Sequence, residues 1–230
     1  MSLKDDLNKK VKEIFVEQWT KRGGQVVPEP SDLKLSNDAV KLNGVVLYAD
    51  MSESTKLVDS RKAFFAAEVY KSFLHCSAKI IRSEGGEITS FDGDRIMAVF
   101  IGDSKNTSAA RAALKINYAS IYIINPALVA QYPDSDYEVK HTVGIDSSEL
   151  FIARTGIRGS NDLVWVGKAA NHAAKMGGLS NTYPSRISSE VYNMLHESLK
   201  FSDGKSMWER VTWKDMDRTI YRSTWSWDVS

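Results

Sequence analysis

The sequence predicts an α+β domain in which helices cover a central, mostly antiparallel sheet, with a helical arm at the N-terminus. Three observations predict this class. From Gly44 onward, strand-like apolar runs alternate with stretches of helical spacing, and two pairs of runs meet at glycine-containing turns, as antiparallel hairpins do. A proline-containing linker separates an amphipathic N-terminal stretch from this pattern. We therefore assign residues 1–40 to the arm and residues 41–230 to the domain.

The arm is predicted to be one helix over residues 3–22, because apolar side chains recur there every three or four residues. Gly23 and Gly24 end this pattern, and the proline-containing residues 28–32 predict an extended linker. The apolar stripe consists of Leu7, Val11, Ile14, Phe15 and Trp19. A helix tethered in this way packs either on its own domain or on a partner subunit.

The elements of the domain follow from the same periodicities. β-Branched and aromatic residues at 45–49 predict a buried strand, and helical apolar spacing predicts a helix at 61–83. A tight turn at Asp92-Gly93 predicts a hairpin. The remaining predicted elements are strands at 87–91, 95–100, 137–146, 150–154 and 163–166, helices at 104–124, 167–176 and 188–199, and closing strands within 208–224.

The composition is that of an ordinary globular protein. The chain has 230 residues, 43% hydrophobic and 26% charged, and its net charge of +1 gives no sign of a nucleic-acid-binding surface. Its single cysteine, Cys76, allows no internal disulfide and fits a reducing compartment. No apolar run has transmembrane length, and the first residues lack a signal-peptide core. We expect a cytoplasmic protein that neither enters a membrane nor binds nucleic acid.

Two acidic residues stand at neighbouring strand ends. Asp50 follows the strand at 45–49, and Asp94 lies in the turn before the strand at 95–100. If these strands pair, the two carboxylates lie close together and repel each other unless a cation lies between them. Hard oxygen ligands suit Mg²⁺ or Mn²⁺, and the backbone carbonyl of Met51 can supply another oxygen. Taken singly, each aspartate could instead be an ordinary turn residue.

A second constellation follows the predicted strand at 163–166. Gly167 leads into a helix on which Asn171 and Lys175 are four residues apart and therefore share one face. An amide and an ammonium on one face can hold a sugar oxygen and a phosphate oxygen. The alternative interpretation is a solvated helix face, which is common for such a pair.

With these motifs the chain resembles the catalytic domain of class III nucleotidyl cyclases. The family's first motif is an aromatic, a small residue, Asp, an apolar residue and then Thr; its second is Gly-Asp in a hairpin; its third is Gly, Asn and Arg at helical spacing. The matching residues are Tyr48, Ala49, Asp50, Met51 and Thr55, then Gly93-Asp94, then Gly167, Asn171 and Lys175. The resemblance covers roughly residues 42–222 and implies a class III cyclase-like fold.

Two further segments extend the resemblance. Gly144-Ile145-Asp146 stands where the family has Gly-Ile-His, and the turn containing Arg158 resembles its phosphate-binding turn. The resemblance implies that Asp50, Met51 and Asp94 hold two divalent cations, Mn²⁺ or Mg²⁺, and that Thr55 contributes to substrate binding. It also implies that Asn171 orients the ribose while Lys175 and Arg158 neutralise the phosphates, in a homodimer whose sites combine residues of both subunits.

The departures from the family concern the base. Ser90 replaces the lysine that selects adenine, Val164 replaces its acidic or thiol partner, and Lys175 replaces an arginine. Such a site resembles that of the Pycsar pyrimidine cyclases of bacterial antiphage defence. These proteins are similar in sequence to residues 48–55 and have a basic residue at the position of Arg95. The resemblance implies that Tyr48 and Arg95 read a pyrimidine.

A guanidinium has only donors and so favours the carbonyl oxygens of uracil. We therefore predict that UTP is converted to 3′,5′-cyclic UMP and pyrophosphate, as a second messenger read by a separate effector protein. The alternatives are a cytidylate cyclase that makes cyclic CMP, a conventional adenylate or guanylate cyclase, and a degenerate homologue that only binds nucleotide.

Overall fold

The structure is a computed structural model that describes residues 2–230, and these residues divide into two compact units. The larger unit consists of Gly44–Ser148 and Lys168–Ser230. The smaller unit consists of the segment up to Asn43 together with Glu149–Gly167. The predicted arm therefore belongs to the same unit as a segment that lies far along the chain.

The larger unit is built on a mixed sheet. Its strands are the second part of β2 (Asp38–Met51), β3 (Glu87–Asp92), β4 (Arg95–Phe100), the first part of β5 (His141–Ile157), β7 (Ser185–Ser188), β10 (Glu209–Trp213) and β11 (Arg218–Ser223). Their order is β10-β11-β7-β5-β2-β4-β3, while β8 (Phe201–Ser202) and β9 (Lys205–Ser206) pair in a separate two-stranded sheet. Four of the strand pairs are antiparallel, and β5 runs parallel to β7. The predicted α+β class with a mostly antiparallel sheet is confirmed.

Helices cover both faces of this sheet. They are α2 (Ser54–Ser60), α3 (Ala63–Ser83), α4 (Lys105–Ala119), α5 (Asn125–Gln131), α6 (Lys168–Gly177) and α7 (Ser189–Asn193), with a π-helical turn at Ser120–Ile124 between α4 and α5. Val45, Leu47 and Ala49 of β2 are buried in the main core together with Phe73 of α3 and Leu114 of α4. The intervening residues of β2 face the other side of the sheet, because side chains alternate along a strand.

The smaller unit contains α1 (Leu3–Val16), β1 (Thr20–Gly23), a 3₁₀ turn at Pro30–Asp32 and β6 (Ser160–Val166). Strand β1 runs parallel to the beginning of β2, from Thr20 opposite Asp38 to Gly23 opposite Lys41. Strand β6 runs antiparallel to the end of β5. The strand predicted at 137–146 and the first hairpin strand predicted at 150–154 are thus parts of one long strand, β5, which begins at His141.

The N-terminal helix is shorter than predicted. It ends at Val16 instead of residue 22, because the Asn37 side-chain amide donates to the carbonyls of Ile14 and Glu17, at 2.8 Å each, and satisfies the end of the helix. None of its residues is buried. The apolar repeat continues to Trp19, but that ring packs edge-on against Phe151 at 4.9 Å rather than extending the helix.

Other elements also differ from the sequence prediction. The strand β7 was not predicted, and the helix predicted at 188–199 is the short helix α7 followed by a 3₁₀ turn at Glu197–Leu199. The helix predicted at 104–124 continues through the π-helical turn into α5, as far as Gln131. Among residues 2–230, no helix is long and apolar enough to cross a membrane.

Candidate active site

The candidate site lies where β2 and β4 pair. Asp50 is directly opposite Arg95, and Tyr48 is opposite Met97. Residues opposite each other in a ladder project to the same face, so Tyr48, Asp50 and Arg95 share one face of the sheet. Asp94 precedes Arg95 in the two-residue turn of the hairpin, where Gly93 has a φ of 61° that a residue with a side chain rarely adopts.

The two predicted metal-binding aspartates interact. Burial, and next the charge of Asp94, raise the pKa of the Asp50 carboxyl to about 6. The Oδ2 atom of Asp94 is buried and has no hydrogen-bond partner among residues 2–230. An unpartnered buried carboxylate oxygen beside a second carboxylate is an unfavourable arrangement for the protein alone, and a hard divalent cation would relieve it.

Asp50 and Asp94 bring two carboxylates to this point, and the charge of Asp92 also acts on Asp50. Within the described residues, no group of three or more His, Cys, Asp or Glu side chains gathers as a metal site. The chain turns directly after Met51, where the backbone N–H of Ser52 donates to the Lys140 carbonyl at 2.8 Å and anchors the end of the strand. Backbone oxygen, water and substrate phosphate would have to complete the coordination of any cation here.

The predicted base-reading residues lie beside the aspartates. Arg95 Nη2 donates to Asp92 Oδ2 at 2.7 Å. Burial raises the pKa of the Tyr48 phenol, the charge of Arg95 opposes this increase, and the charge of Asp92 adds to it. Ser90, on β3, is opposite Met97 and therefore flanks it from the side away from Tyr48. Asp92 was not predicted as a site residue, although its position across the turn from Arg95 was visible in the sequence.

Tyr137 is a second residue that the sequence did not indicate. Its hydroxyl is buried without a hydrogen-bond partner among the described residues. Burial raises its pKa to about 12, and the neighbouring Tyr70, Glu53 and Asp94 add smaller contributions. The residue precedes β5 in an irregular segment, so neither strand periodicity nor a motif pointed to it. Its phenol is a neutral donor near Asp94.

Helix α6 carries Asn171 and Lys175, and both side chains are exposed. The helix is held on β5 at both ends. At its start the Ala169 N–H donates to Ser148 Oγ at 3.1 Å, and at its end Thr142 Oγ1 donates to the Gly177 carbonyl. Between them, Gly144 allows the closest approach, because a Cβ at that position would lie 2.8 Å from Met176 Cβ and collide with the backbone of the helix.

The same helix ends close to the aspartates. A Cβ added to Gly177 would lie 4.0 Å from Asp50 Cβ, so the end of α6 borders the metal-binding face. The exposed Asn171 makes no hydrogen bond to any described residue, and the Lys175 ammonium lies 3.7 Å from Met216 Sδ. Asn171 and Lys175 are therefore available to a molecule outside their own chain.

The other predicted residues are accessible. Thr55 is exposed in the first turn of α2. Arg158 and Val164 belong to the smaller unit: Arg158 is exposed in the turn between β5 and β6, and Val164 is 38% exposed on β6, opposite Ala153. The structure thus brings together Tyr48, Ser90, Asp50, Asp94 and Arg95.

Known proteins match this chain over its whole length. It is 51% identical over 231 residues to a uridylate cyclase of Xanthomonas perforans and 52% identical over 231 residues to one of Burkholderia cepacia, covering all of both chains in each case. It is 38% identical to a uridylate cyclase of Rhodovulum sp. (strain MB263), covering 98% of this chain and 97% of that one. The chain belongs to the uridylate cyclase family. No protein-family model matches it.

Solved structures agree with the assignment to the uridylate cyclase family at the level of fold. The chain resembles the guanylyl cyclase Cya2 with a TM-score of 0.68 at 16% identity, covering 82% of this chain and 95% of that one. It resembles the adenylyl cyclase CyaB from P. aeruginosa with a TM-score of 0.66 at 18% identity, covering 80% and 95%. A class III adenylyl cyclase-like ATP-binding protein from Pseudomonas aeruginosa matches with a TM-score of 0.66 at 16% identity, covering 88% and 44%. The predicted class III cyclase-like fold is confirmed.

Proposed function

We propose that this protein is a uridylate cyclase that converts UTP to 3′,5′-cyclic UMP and pyrophosphate. The observation that carries the proposal is the interacting pair Asp50 and Asp94, with its unpartnered buried oxygen, in a chain that matches named uridylate cyclases from end to end. In the reaction, a bond forms between the ribose 3′ oxygen and the α-phosphorus, and the bond from that phosphorus to pyrophosphate breaks.

Asp50, Asp94 and the Met51 carbonyl are proposed to hold two divalent cations, Mn²⁺ or Mg²⁺. The residues fit this role because their oxygens are hard ligands and because one oxygen of Asp94 is buried without a partner. When bound, such cations make the 3′ hydroxyl more acidic and offset the negative charge of the triphosphate. Thr55, in the first turn of α2, is proposed to contact the substrate.

Asn171 is proposed to hold the ribose with its amide. Lys175 and Arg158 are proposed to stabilise the negative charge that develops on the phosphates as the bond to pyrophosphate breaks. The exposure of Asn171 and Lys175, and the lack of a hydrogen bond from Asn171 to its own chain, support an active site shared between two subunits of a homodimer. Lysine supplies the charge that arginine provides elsewhere but not its forked geometry.

Tyr48 and Arg95 are proposed to read the uracil ring. They lie on the same face as Asp50. Arg95 donates one of its five N–H groups to Asp92, and this hydrogen bond holds the guanidinium in place. Ser90 and Val164 supply no purine-reading group at the positions where related cyclases have one. CTP is the second candidate substrate, because the phenol of Tyr48 can accept a hydrogen bond from a cytosine amino group.

From the resemblance to antiphage cyclases, we further propose that the product is a second messenger, made in the cytoplasm and read by a separate effector. The catalytic proposal is tested by incubating the purified chain with Mn²⁺ and each of the four nucleoside triphosphates and identifying the products by mass spectrometry. We expect cyclic UMP and pyrophosphate from UTP, less product from CTP, and none with Asp94→Ala. A preference for ATP or GTP, or binding of UTP without turnover, would refute the proposal.

A further inference from the structure

A buried charge network lies between α6 and the strands beneath it. His172, in the middle of α6, places Nδ1 2.8 Å from Asp146 Oδ2 on β5. Asp146 is only 1% exposed. Arg218 of β11 lies 3.7 Å from the same carboxylate oxygen and donates to Glu190 Oε1 at 2.5 Å. The His172 ring also meets the Trp213 ring edge-on at 6.1 Å.

The position of the proton on the His172 ring follows from the hydrogen-bond donors that the buried Asp146 carboxylate requires. Arg218 Nη1 also approaches His172 Nδ1, and a ring nitrogen either donates or accepts but cannot do both. A buried carboxylate requires donors, so we assign a proton to His172 Nδ1, which then donates to Asp146. The other carboxylate oxygen of Asp146 accepts from the Ser147 N–H at 2.8 Å. Both oxygens of this buried group are therefore satisfied.

The network lies midway along α6, where His172 faces Asp146 of β5 and Trp213 of β10. The Ser148 and Thr142 contacts hold the two ends of the helix on β5, and the buried Ala173 and Met176 pack the inner face of the helix against Gly144. His172 lies between the two end contacts and is fixed by Asp146 on one side and by the Trp213 ring on another. It therefore adds a directional polar constraint on the rotation of α6 to the apolar packing of the inner face of the helix.

We propose that His172 is a positioning residue for the nucleotidyl transfer, and that its bond to Asp146 sets the direction in which Asn171 and Lys175 point. Asn171 is adjacent to His172 in the chain, so any rotation of α6 moves both. A roll of about 20° displaces a side-chain tip by about 2 Å on a helix with a radius of roughly 5–6 Å. Misplacement by about 1 Å can reduce a rate about a hundredfold.

The test compares two amides of different reach. In His172→Asn the amide nitrogen occupies nearly the position of Nδ1 and can still donate to Asp146. In His172→Gln the same amide lies one methylene further out, near the position of Nε2, and cannot. His75→Ala, which removes an exposed histidine from α3, is the matched control. The measurements are kcat and KM for UTP, and hydrogen–deuterium exchange of residues 168–177 without nucleotide or metal.

We expect His172→Gln to reduce kcat about a hundredfold with KM within about threefold of wild type, and to accelerate exchange in α6. His172→Asn should keep kcat within about fivefold of wild type, with protected exchange, because its donor reaches Asp146. Equal losses in the two variants, or a loss of kcat with wild-type exchange in α6, would overturn the proposal. The activity arm rests on the proposed function; if the wild type turns over no triphosphate, exchange in the two variants alone decides the role of His172.

Discussion

The folded protein is destabilised whenever the Asp50 carboxyl is ionised. Burial and the neighbouring Asp94 raise its pKa from 3.8 to about 6, so the folded chain holds this proton more tightly than the unfolded chain does. Without a cation, stability therefore falls as the pH rises from about 4 through 6. The same repulsion that weakens the empty site favours the binding of a divalent cation there.

Removing the charge of Asp50 is therefore expected to stabilise the metal-free protein. In metal-free buffer at pH 8, Asp50→Asn should raise the free energy of unfolding by about 1–3 kcal/mol, since it removes the buried charge. The gain should shrink as the pH falls below 6 and vanish near pH 4. Urea unfolding at matched pH values measures it. The variant should have no cyclase activity, and an unchanged stability at pH 8 would show that the two carboxylates do not oppose each other.

Substitution of Arg95 is expected to reduce turnover without unfolding the protein. Arg95→Ala should lower kcat/KM for UTP about ten- to a hundredfold, as expected for the loss of a charged hydrogen bond worth roughly 1.5–3 kcal/mol. Its stability should change little, because the side chain is 42% exposed and pairs with the exposed Asp92. Arg82→Ala, at an exposed position of α3, is the control. Unchanged UTP kinetics in Arg95→Ala would exclude this residue from base reading.

At this scale the sequence predicted those site residues that lie in short motifs. Asp50 follows from the end of one strand, and Asp94 and Arg95 follow from the hairpin turn before another; the structure pairs these two strands and brings the residues together. Tyr137 was not predicted as a site residue, because its approach to Asp94 depends on the tertiary packing of an irregular segment. Asp92 was not predicted as a site residue, although its position across the predicted turn from Arg95, with which it pairs, was visible in the sequence.

At the scale of elements, the π-helical turn between α4 and α5 faces a buried histidine. Ser120 Oγ donates to the Ile116 carbonyl at 3.1 Å and lies 3.1 Å from Nδ1 of His141. His141 is 3% exposed, and burial lowers its pKa to about 4. The folded chain therefore keeps this ring neutral where the unfolded chain would already protonate it, so acid favours unfolding.

We expect His141 to make the unfolding free energy sensitive to acid, and we expect a substitution that does not titrate to remove this sensitivity. Between pH 7 and pH 5, His141 should cost the wild type about 2 kcal/mol of unfolding free energy, because its unfolded pKa lies near 6.5 and its folded pKa near 4. His141→Gln has its own packing cost but no titration, so its stability should change by about 2 kcal/mol less over this interval. Chemical denaturation at both pH values checks this, and parallel losses in both proteins would contradict it.

Periodicity predicted the elements that keep one face buried and failed at those that do not. The α3 helix and the β3–β4 hairpin lie close to their predicted bounds, since α3 buries a regular stripe and the turn at Asp92-Gly93 marks the hairpin. Helix α1 was overextended, because Asn37, distant in sequence, satisfies its last carbonyls. Strand β7 was missed because Ser185–Ser188 is short and mostly polar, and its identity as a strand depends on pairing with β5 and β11.

At the scale of the whole molecule, the shared site predicts complementation between inactive variants. Asp50→Ala and Asn171→Ala should each be inactive alone. If each site takes Asp50 from one subunit and Asn171 from the other, a mixed dimer regains one intact site. Equal mixing after subunit exchange should therefore restore about a quarter of wild-type activity in a two-fold symmetric dimer.

Cyclic UMP formation over a series of mixing ratios measures this recovery, with the intersubunit exchange verified by mass spectrometry of differently tagged chains. A second mixture, Asp50→Ala with Asp94→Ala, is the control, because both changes fall on the same side of the site. In that mixture every site that has an intact Asp50 lacks Asp94. Recovery in the control, or none in the first mixture, would count against a site built from two subunits.

The smaller unit has a consequence for how the chain is made. Its first segment ends at Asn43 and its second begins at Glu149, yet Trp19 packs against Phe151 in the finished fold. A ribosome adding about 5–20 residues per second needs on the order of ten seconds to synthesise the residues between them. Throughout that delay Trp19 lacks the Phe151 ring against which it packs in the finished fold. A chain released before Glu149 would never form that contact.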